Sequence, residues 1–446
     1  MNPLFLIEES ANSFGDSVAL HDLTSGRKIR FRELPDFLRT VIRNAEWGSS
    51  PLVTAMPTSF DHVALLLAGF VSGRPIVPIS PRLPRLEILR RSAYVGGEGI
   101  YWGTHFEKID SSRVDLPDAG TLLFTSGSSG SPRSLLHHWD AHLANAKGSA
   151  ERIPLLPGCG WLLSLPLHHV SGISVLFRCL SSGATIVIPD FALHLEVQIA
   201  DSVITHLSVV ALQLERLIRA RAPLDRLNAV LAGGGPISAK LVEHSIQSGV
   251  PLHLTYGMTE TASQITTTEK LTSCPSPIHA GKPLPSGEVR ISPSGEVQVR
   301  GRTLATGVLN SSGQIESITD ADGWASTRDV GTFNENNELI ILGRRDRMII
   351  SGGENIHPEA IEAILSQVTG VVRVAVVGVT HPVYGIRPMV FVAGSVKEED
   401  LRDFLAERVE RFAIPDVFMP WPDAISLDDA KIDYSNLARI AAEKIP

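Results

Sequence analysis

The chain has 446 residues, 43% of them hydrophobic and 20% charged, with 40 basic against 48 acidic side chains and a net charge of −8. That length leaves room for more than one packed core, and the composition excludes a disordered chain or a fibre. The acidic balance offers no basic surface of the kind that binds nucleic acid, so any phosphate site has to be local.

Cys159, Cys179 and Cys274 are scattered without a C-x-x-C pair, which argues against a disulfide framework or structural zinc and fits a reducing, cytoplasmic compartment. The opening residues lack a basic n-region and turn acidic at Glu8 and Glu9, unlike a secretory signal. The most apolar stretches, such as Val63–Val71, fall short of a membrane span. No internal repeat or low-complexity tract is present. Nothing in the sequence speaks to oligomeric state.

Short apolar runs alternate with amphipathic stretches, the pattern of an α/β protein. An apolar strand at Leu122–Phe124 runs into a loop of Thr, Ser, Gly and Pro, and a second apolar run follows, over Thr121–His137. Such a loop cannot pack a core. It can present backbone N–H and hydroxyl donors to an anion, with Arg133 adding a permanent charge. The plainer reading is a Ser/Gly linker, which two flanking strands disfavour. The loop lacks the Gly-Lys-Ser/Thr of the common nucleotide hydrolases and opens no helix, and it is not a dinucleotide fingerprint.

Further along, strands are expected at Thr185–Ile188, Leu207–Val210 and Leu227–Ala232, with helices through Ala211–Ala220 and Ser238–Gln247. Ser238 is a plausible N-cap and Gly249 a plausible stop. After about Ile278 the texture becomes β-rich, with strands at Val289–Ile291, Glu296–Arg300 and Glu338–Leu342 separated by turn residues. A charged segment, Arg344–Arg347, then precedes a helix–strand–strand–helix pattern at Pro358–Gln367, Val371–Val379, Pro388–Val392 and Glu398–Arg411. The expected organisation is a large α/β N-terminal domain of layered sheets with a small β-rich subdomain (1–343), a hinge (344–347) and a small mobile α+β C-terminal domain (348–446).

Taken together, these segments carry a resemblance. Thr125–Arg133 resembles the phosphate loop of the adenylate-forming superfamily, which comprises acyl-CoA synthetases, adenylation domains and luciferases. Leu231–Gly235 resembles its adenine-side glycine turn, Tyr256–Glu260 its Y-G-x-T-E signature, and Thr327–Asp329 with Gly331 its ribose-binding motif. Gly343–Ile356 resembles the hinge and the glycine loop after it, and the surroundings of Lys431 resemble the C-terminal catalytic lysine. All occur in the family's order.

The resemblance implies a carboxylate substrate activated by ATP and Mg2+ and transferred to coenzyme A. Thr125, Ser126, Gly127, Ser128, Ser129 and Gly130 would hold phosphates beside Arg133, where the family usually has Lys. A forked guanidinium there replaces a compact ammonium. Gly233, Gly234, Gly235, Tyr256 and Gly257 would flank adenine, while Asp329 and Arg344 would meet the ribose. Thr259 would bond the α-phosphate, Glu260 would hold Mg2+, and Lys431 would serve adenylate formation. Asp346 would mark the hinge, and Gly352, Gly353 and Glu354 the loop that replaces the lysine during thioester formation.

Taken singly, each residue also fits a plainer role. Tyr256 could fill a core, Glu260 and Asp329 could be solvated carboxylates, Lys431 a surface lysine, and Gly352–Gly353 a tight turn.

Trp161–Asp190, with Pro166–Gly172 at its centre and Phe177–Arg178 after it, resembles the o-succinylbenzoate–CoA ligases of menaquinone and phylloquinone synthesis. That substrate carries a second carboxylate needing donors. Ser171 and Arg216 are the candidates, Arg216 lying one helical turn from Gln213, with His169 as wall or gate. The plainer alternatives are a core histidine and a solvated helix arginine. The alternatives at the level of function are a ligase for another aryl or short acyl acid, a non-catalytic AMP-binding protein, and an adenylation domain serving a carrier. The lysine disfavours the second, and the lack of a carrier-like segment before Pro446 disfavours the third.

Overall fold

The computed structural model describes residues 3–45, 51–103, 105–109, 111, 114, 116, 120–125, 133–351, 354–381, 384–427, 429 and 432–444. The expected strands and helices stand within a few residues of their sequence positions. Thr185–Ile188 is reproduced; His206–Val209 and Ala229–Ala232 are the next two strands, and the helices run Ala211–Arg219 and Ala239–Gln247. Ser238 caps the latter, its hydroxyl accepting from the Leu241 N–H at 3.2 Å. Gly249 follows its end at φ +73°.

A nine-stranded and an eight-stranded sheet dominate. In the first, Val18–Asp22, Thr185–Ile188, Gly160–Leu162, His206–Val209, Ala229–Ala232 and Leu252–Met258 run parallel. In the second, the parallel centre is Thr121–Thr125, Ile76–Pro78, Leu52–Thr54 and Gly99–Trp102. These strands read as continuous apolar runs because both of their faces are covered. One core contains side chains of both sheets (Leu52, Ile76, Leu123, Trp161, Ile186, Leu231) together with helices Phe60–Val71, Trp139–Ala150 and Val170–Ser182. Leu214, Leu217, Val242 and Leu252 belong to a second core under the helices 211–219 and 239–247.

Four antiparallel strands, Gly287–Ile291, Glu296–Gly301, Ala325–Phe333 and Leu339–Arg344, form the β-rich unit read from the sequence. Beyond them Val371–His381 and Gly385–Gly394 pair antiparallel in a five-stranded sheet, with Val371–His381 at its edge. Helices Pro358–Leu365 and Glu398–Ala406 contribute to the core on one side of this sheet, and Tyr434–Lys444 to the other. The sequence extended the Glu398 helix to Arg411. It stops at Ala406, and a separate 3-10 turn covers Arg411–Ala413.

All three cysteines are free, and among the described residues no helix is long and apolar enough to cross a membrane.

Several core histidines are held neutral. His62 Nδ1 donates to the Pro57 carbonyl and its Nε2 accepts from Thr54 Oγ1. His206 bonds the Pro154 carbonyl and Thr205 Oγ1 in the same fashion. Burial lowers both to about 4. With the folded pKa below the ordinary 6.5, this contribution to stability is complete above pH 6.5 and is lost as pH falls through 4. The fall in Tm between pH 6.5 and 4 should therefore become shallower in the His62→Gln/His206→Gln variant, measured by calorimetry; an unchanged slope refutes the assignment.

Candidate active site

Thr125 ends the strand Thr121–Thr125 and Gly233–Gly235 follow the strand Ala229–Ala232, at carboxyl ends of parallel strands, where open α/β sheets bind their ligands. Thr121–Thr125 and Arg133–His137 form an antiparallel pair in the register Thr121↔His137 to Thr125↔Arg133. The strands thus close on both ends of the predicted phosphate loop. Thr125 is half-buried and Arg133 exposed. Ser126, Gly127, Ser128, Ser129 and Gly130 lie outside the described residues, as do Gly352, Gly353 and Lys431.

The strand Ala229–Ala232 delivers Gly233, Gly234 and Gly235, with Gly234 at φ +80°. Its neighbour Leu252–Met258 carries Tyr256 and Gly257 and leads into a 3-10 turn, Thr259–Thr261. This turn is strained. Ala262 and Ser263 follow at φ +52° and +119°, conformations that cost a non-glycine residue roughly 1–3 kcal/mol each. Gly257 is a packing necessity, since a β-carbon there would stand 1.9 Å from the Ser263 carbonyl oxygen.

Three separate elements hold the turn by its carbonyls. His137 Nε2 bonds that of Thr259 at 2.6 Å. The Ala305 N–H bonds that of Glu260 at 2.8 Å. Asn145 Nδ2, from the helix Trp139–Ala150, bonds that of Thr261 at 3.2 Å and that of Gln264 at 2.7 Å. The Thr259 hydroxyl and the Glu260 carboxylate make no bond to another described residue, and both are half-buried.

Asp329 sits in the strand Ala325–Phe333 opposite Arg344 in the next strand. The Tyr256 hydroxyl donates to Asp329 Oδ2 at 2.6 Å, and Arg344 Nη1 to Oδ1 at 3.2 Å. Burial raises the Asp329 carboxyl above its ordinary value, outweighing these donors. Burial together with the adjacent Asp329 charge pushes the Tyr256 phenol well up. Arg344 also grips both oxygens of Asp346 at 3.0 Å, which holds the Asp346 carboxyl below its usual range. A carboxylate has about four acceptor positions, so Asp329 retains capacity for a further donor pair.

Next to this strand the Arg344 N–H bonds Glu359 Oε1, which also accepts from Arg347 Nη1. Arg347 Nη2 bonds Glu362 at 2.7 Å, and its guanidinium lies 3.5 Å over the Tyr434 ring, whose hydroxyl donates to the same Glu362. The segment after Lys431 is thereby tied to Arg344–Arg347. Gly343, at φ +154°, leaves a space that a β-carbon would fill 2.3 Å from Glu359 Oε2. Glu354 is exposed.

Of the acyl candidates, His169 precedes the helix Val170–Ser182 and is exposed, Ser171 is half-buried in its first turn, and Arg216 is exposed on the helix Ala211–Arg219. Gln213 on that helix faces inward to the Ser164 carbonyl.

A residue not assigned from sequence is more telling. Arg178 is 3% exposed inside the buried run Gly172–Leu180. One of its terminal nitrogens donates to Gln264 Oε1 at 2.7 Å and Ser263 Oγ at 3.3 Å, and its guanidinium lies 4.9 Å from the Trp161 ring centroid. Its Nε has no partner, and no carboxylate of the described residues pairs with it. Burial lowers its pKa to about 10, which leaves it charged at neutral pH. The sequence signal was an arginine inside an otherwise apolar helix face.

Residues 89–313 match the family model "AMP-binding enzyme" and residues 360–426 the model "AMP-binding enzyme C-terminal domain". The chain thus stands in the class of AMP-binding enzymes. The chain is 31% identical over 442 residues to the 2-succinylbenzoate–CoA ligase of Escherichia coli (strain K12), covering 95% of each sequence. Among solved structures it resembles the o-succinylbenzoate CoA synthetase of Bacillus subtilis in complex with the acyl-adenylate intermediate OSB-AMP (TM-score 0.84, 25% identity, 97% of each chain). The same enzyme in complex with ATP and magnesium ion gives a TM-score of 0.81 at 26% identity, over 93% of this chain and 95% of that one. Within the AMP-binding enzymes, the chain belongs to the family of the 2-succinylbenzoate–CoA ligases.

The Gly257–Ser263 contact makes a sharp prediction. Gly257→Ala should lower ATP–pyrophosphate exchange at least 100-fold while the far-UV circular dichroism is retained, because the collision is with backbone that cannot rotate away.

Proposed function

We propose that this protein is an AMP-forming acid–thiol ligase that converts o-succinylbenzoate, ATP and coenzyme A to o-succinylbenzoyl-CoA, AMP and pyrophosphate. The carrying observation is the half-buried Thr259–Glu260 pair, unbonded to other described residues, on a fixed turn beside the Tyr256–Asp329–Arg344 cluster. A binding protein would have no use for a held turn with its functional groups left over.

In the first step a carboxylate oxygen attacks the α-phosphorus, and the bond from that phosphorus to the pyrophosphate oxygen breaks. Substrate and phosphate are both anionic, and two unit charges 4 Å apart repel by roughly 4 kcal/mol at an effective dielectric near 20. Donors fixed in advance offset this most where charge grows on the leaving group. The backbone and hydroxyl groups of 125–130 and Arg133 hold the β- and γ-phosphates, and Thr259 Oγ1 bonds the α-phosphate. Mg2+ enters with ATP, and the Glu260 carboxylate with phosphate oxygens supplies the hard ligands it takes. Asp329 accepts from the ribose hydroxyls, with Arg344 beside it. Gly233–Gly235, Tyr256 and Gly257 flank adenine, and Lys431 reaches the reacting carboxylate.

In the second step the coenzyme A thiolate attacks the acyl carbonyl carbon, the bond to AMP breaks, and the thiol proton leaves to solvent. Residues 344–347, with Asp346, act as the hinge between residues 1–343 and a C-terminal unit at 348–446. Rotation there brings Gly352, Gly353 and Glu354 to the place of Lys431.

The second carboxylate of o-succinylbenzoate needs a cation, and Arg178 is the best fitted. A buried charge without a counter-ion costs several kcal/mol, and an anionic substrate removes that cost. It supersedes Arg216, which is exposed. Ser171 and His169 stay at the outer end of the same helix.

A panel of o-succinylbenzoate, benzoate and medium-chain fatty acids, assayed for pyrophosphate release, tests the function; turnover with fatty acids alone refutes the substrate. Lys431→Ala should abolish adenylate formation and spare thioester formation from a supplied acyl-adenylate, and equal loss of both steps contradicts the two-state hinge. Arg178→Met should raise the KM for o-succinylbenzoate at least 30-fold and leave the KM for ATP within twofold, checked by steady-state kinetics.

A further inference from the structure

The turn Thr259–Thr261 is bonded from behind by a chain of buried groups that never reaches the substrate face. His137 is fully buried at the end of the strand that leaves the phosphate loop. Its Nε2 meets the Thr259 carbonyl at 2.6 Å, and a carbonyl only accepts, so Nε2 carries the proton. Its Nδ1 is then a lone pair, 3.5 Å from Thr121 Oγ1, and Thr121 Oγ1 lies 2.8 Å from His142 Nε2.

His142 Nδ1 has no partner, and this fixes the direction of the chain. An orphaned buried N–H is rarer than an orphaned lone pair, so the proton of His142 sits on Nε2. His142 therefore donates to Thr121, Thr121 to His137, and His137 to Thr259. The His142 ring stacks on Phe177 at 4.9 Å and 13°, which holds the far end of the chain in the core.

We propose that His137, oriented through Thr121 by His142, is a positioning residue for the adenylation step: it fixes the Thr259 peptide so that the Thr259 hydroxyl and Glu260 carboxylate stay aimed at the phosphates. This rests on the functional reading given above. The physical need is local. Two positive-φ residues, Ala262 and Ser263, follow the turn directly, so it would relax if its carbonyls were released. Of the three donors, His137 alone comes from the strand that also carries Arg133. One element thereby sets the spacing between the phosphate loop and the turn. Burial lowers the His137 pKa to about 4, so it remains a neutral donor across the working pH range.

The test uses the full chain and ATP–pyrophosphate exchange. His137→Phe keeps the ring volume and removes the donor; exchange kcat should fall at least tenfold with the KM for ATP within threefold. His137→Gln places an amide N–H near the position of Nε2 and should restore kcat to within threefold of wild type. A merely structural role would not show this rescue. Thr121→Val should lower kcat about threefold in the wild-type background and add nothing in the His137→Gln background, where no Nδ1 is left to orient. Thioester formation from a supplied acyl-adenylate should stay within twofold in every variant.

Unchanged exchange in His137→Phe overturns the proposal, and so does a His137→Gln variant as impaired as His137→Phe. If His137→Phe does not fold, Thr121→Val decides, and unchanged kcat there overturns it. Exchange with another acid and not o-succinylbenzoate would refute the substrate and leave this test intact, since any accepted acid reads the same turn.

Discussion

A strained turn of three residues is the constraint on which the proposed site depends. Thr259–Thr261 is followed by two residues in left-handed backbone, and nothing local makes that shape favourable. It persists because Gly257 lets the Ser263 carbonyl approach closely and because three elements donate to consecutive carbonyls of the turn. Each donor is anchored in a different part of the fold: the strand leaving the phosphate loop, the helix between the two large sheets, and the loop entering Gly307–Leu309. The cost of ordering the turn is thus met during folding, and in the proposed function its side chains meet the substrate already placed.

Charge is arranged on the same principle. The chain is acidic overall, and two of its arginines meet that excess in opposite ways. Arg178 is buried against Trp161 with amide and hydroxyl partners in place of a carboxylate. Arg344 is divided between two carboxylates, Asp329 and Asp346. A cation in the first situation has a strong demand for an anion, whereas one in the second is mostly neutralised and serves to orient its partners.

The Arg344–Arg347 segment, the proposed hinge, is bonded on both sides. Asp329 bonds the Arg344 side chain while Glu359 accepts from the Arg344 backbone. The Tyr256–Asp329–Arg344 cluster therefore shares one residue with the contact that anchors the helix Pro358–Leu365. Arg347 continues the connection through Glu362 to Tyr434, and Gly343 leaves just enough space for Glu359 to pack on it. A change of angle in this segment has to break or carry these bonds together, so its motion is expected to be between discrete arrangements.

The sequence by itself determined the α/β class, the change to β-rich texture after Ile278, and the adenylate-forming motifs. It could do so because parallel strands buried on both faces, glycine turns and anion-binding loops demand particular residue types over short spans. Element ends were less secure. The Glu398 helix stops at Ala406 and not Arg411, since side-chain pattern says little about where the last turn packs. Only the tertiary structure decided which polar residues meet. Tyr256, Asp329 and Arg344 are far apart in the chain and join through strand pairing and a turn of the backbone. His137 gave no motif signal, and Arg178 stood in a resembling segment without a role, because what each does lies in burial and in partners more than eighty residues away. Hydrogen bonding and desolvation act through space, and the sequence orders residues along a line. The Tyr256–Glu260 signature was legible as a motif from the start, but the reason its turn can hold its shape became visible only once the fold closed around it.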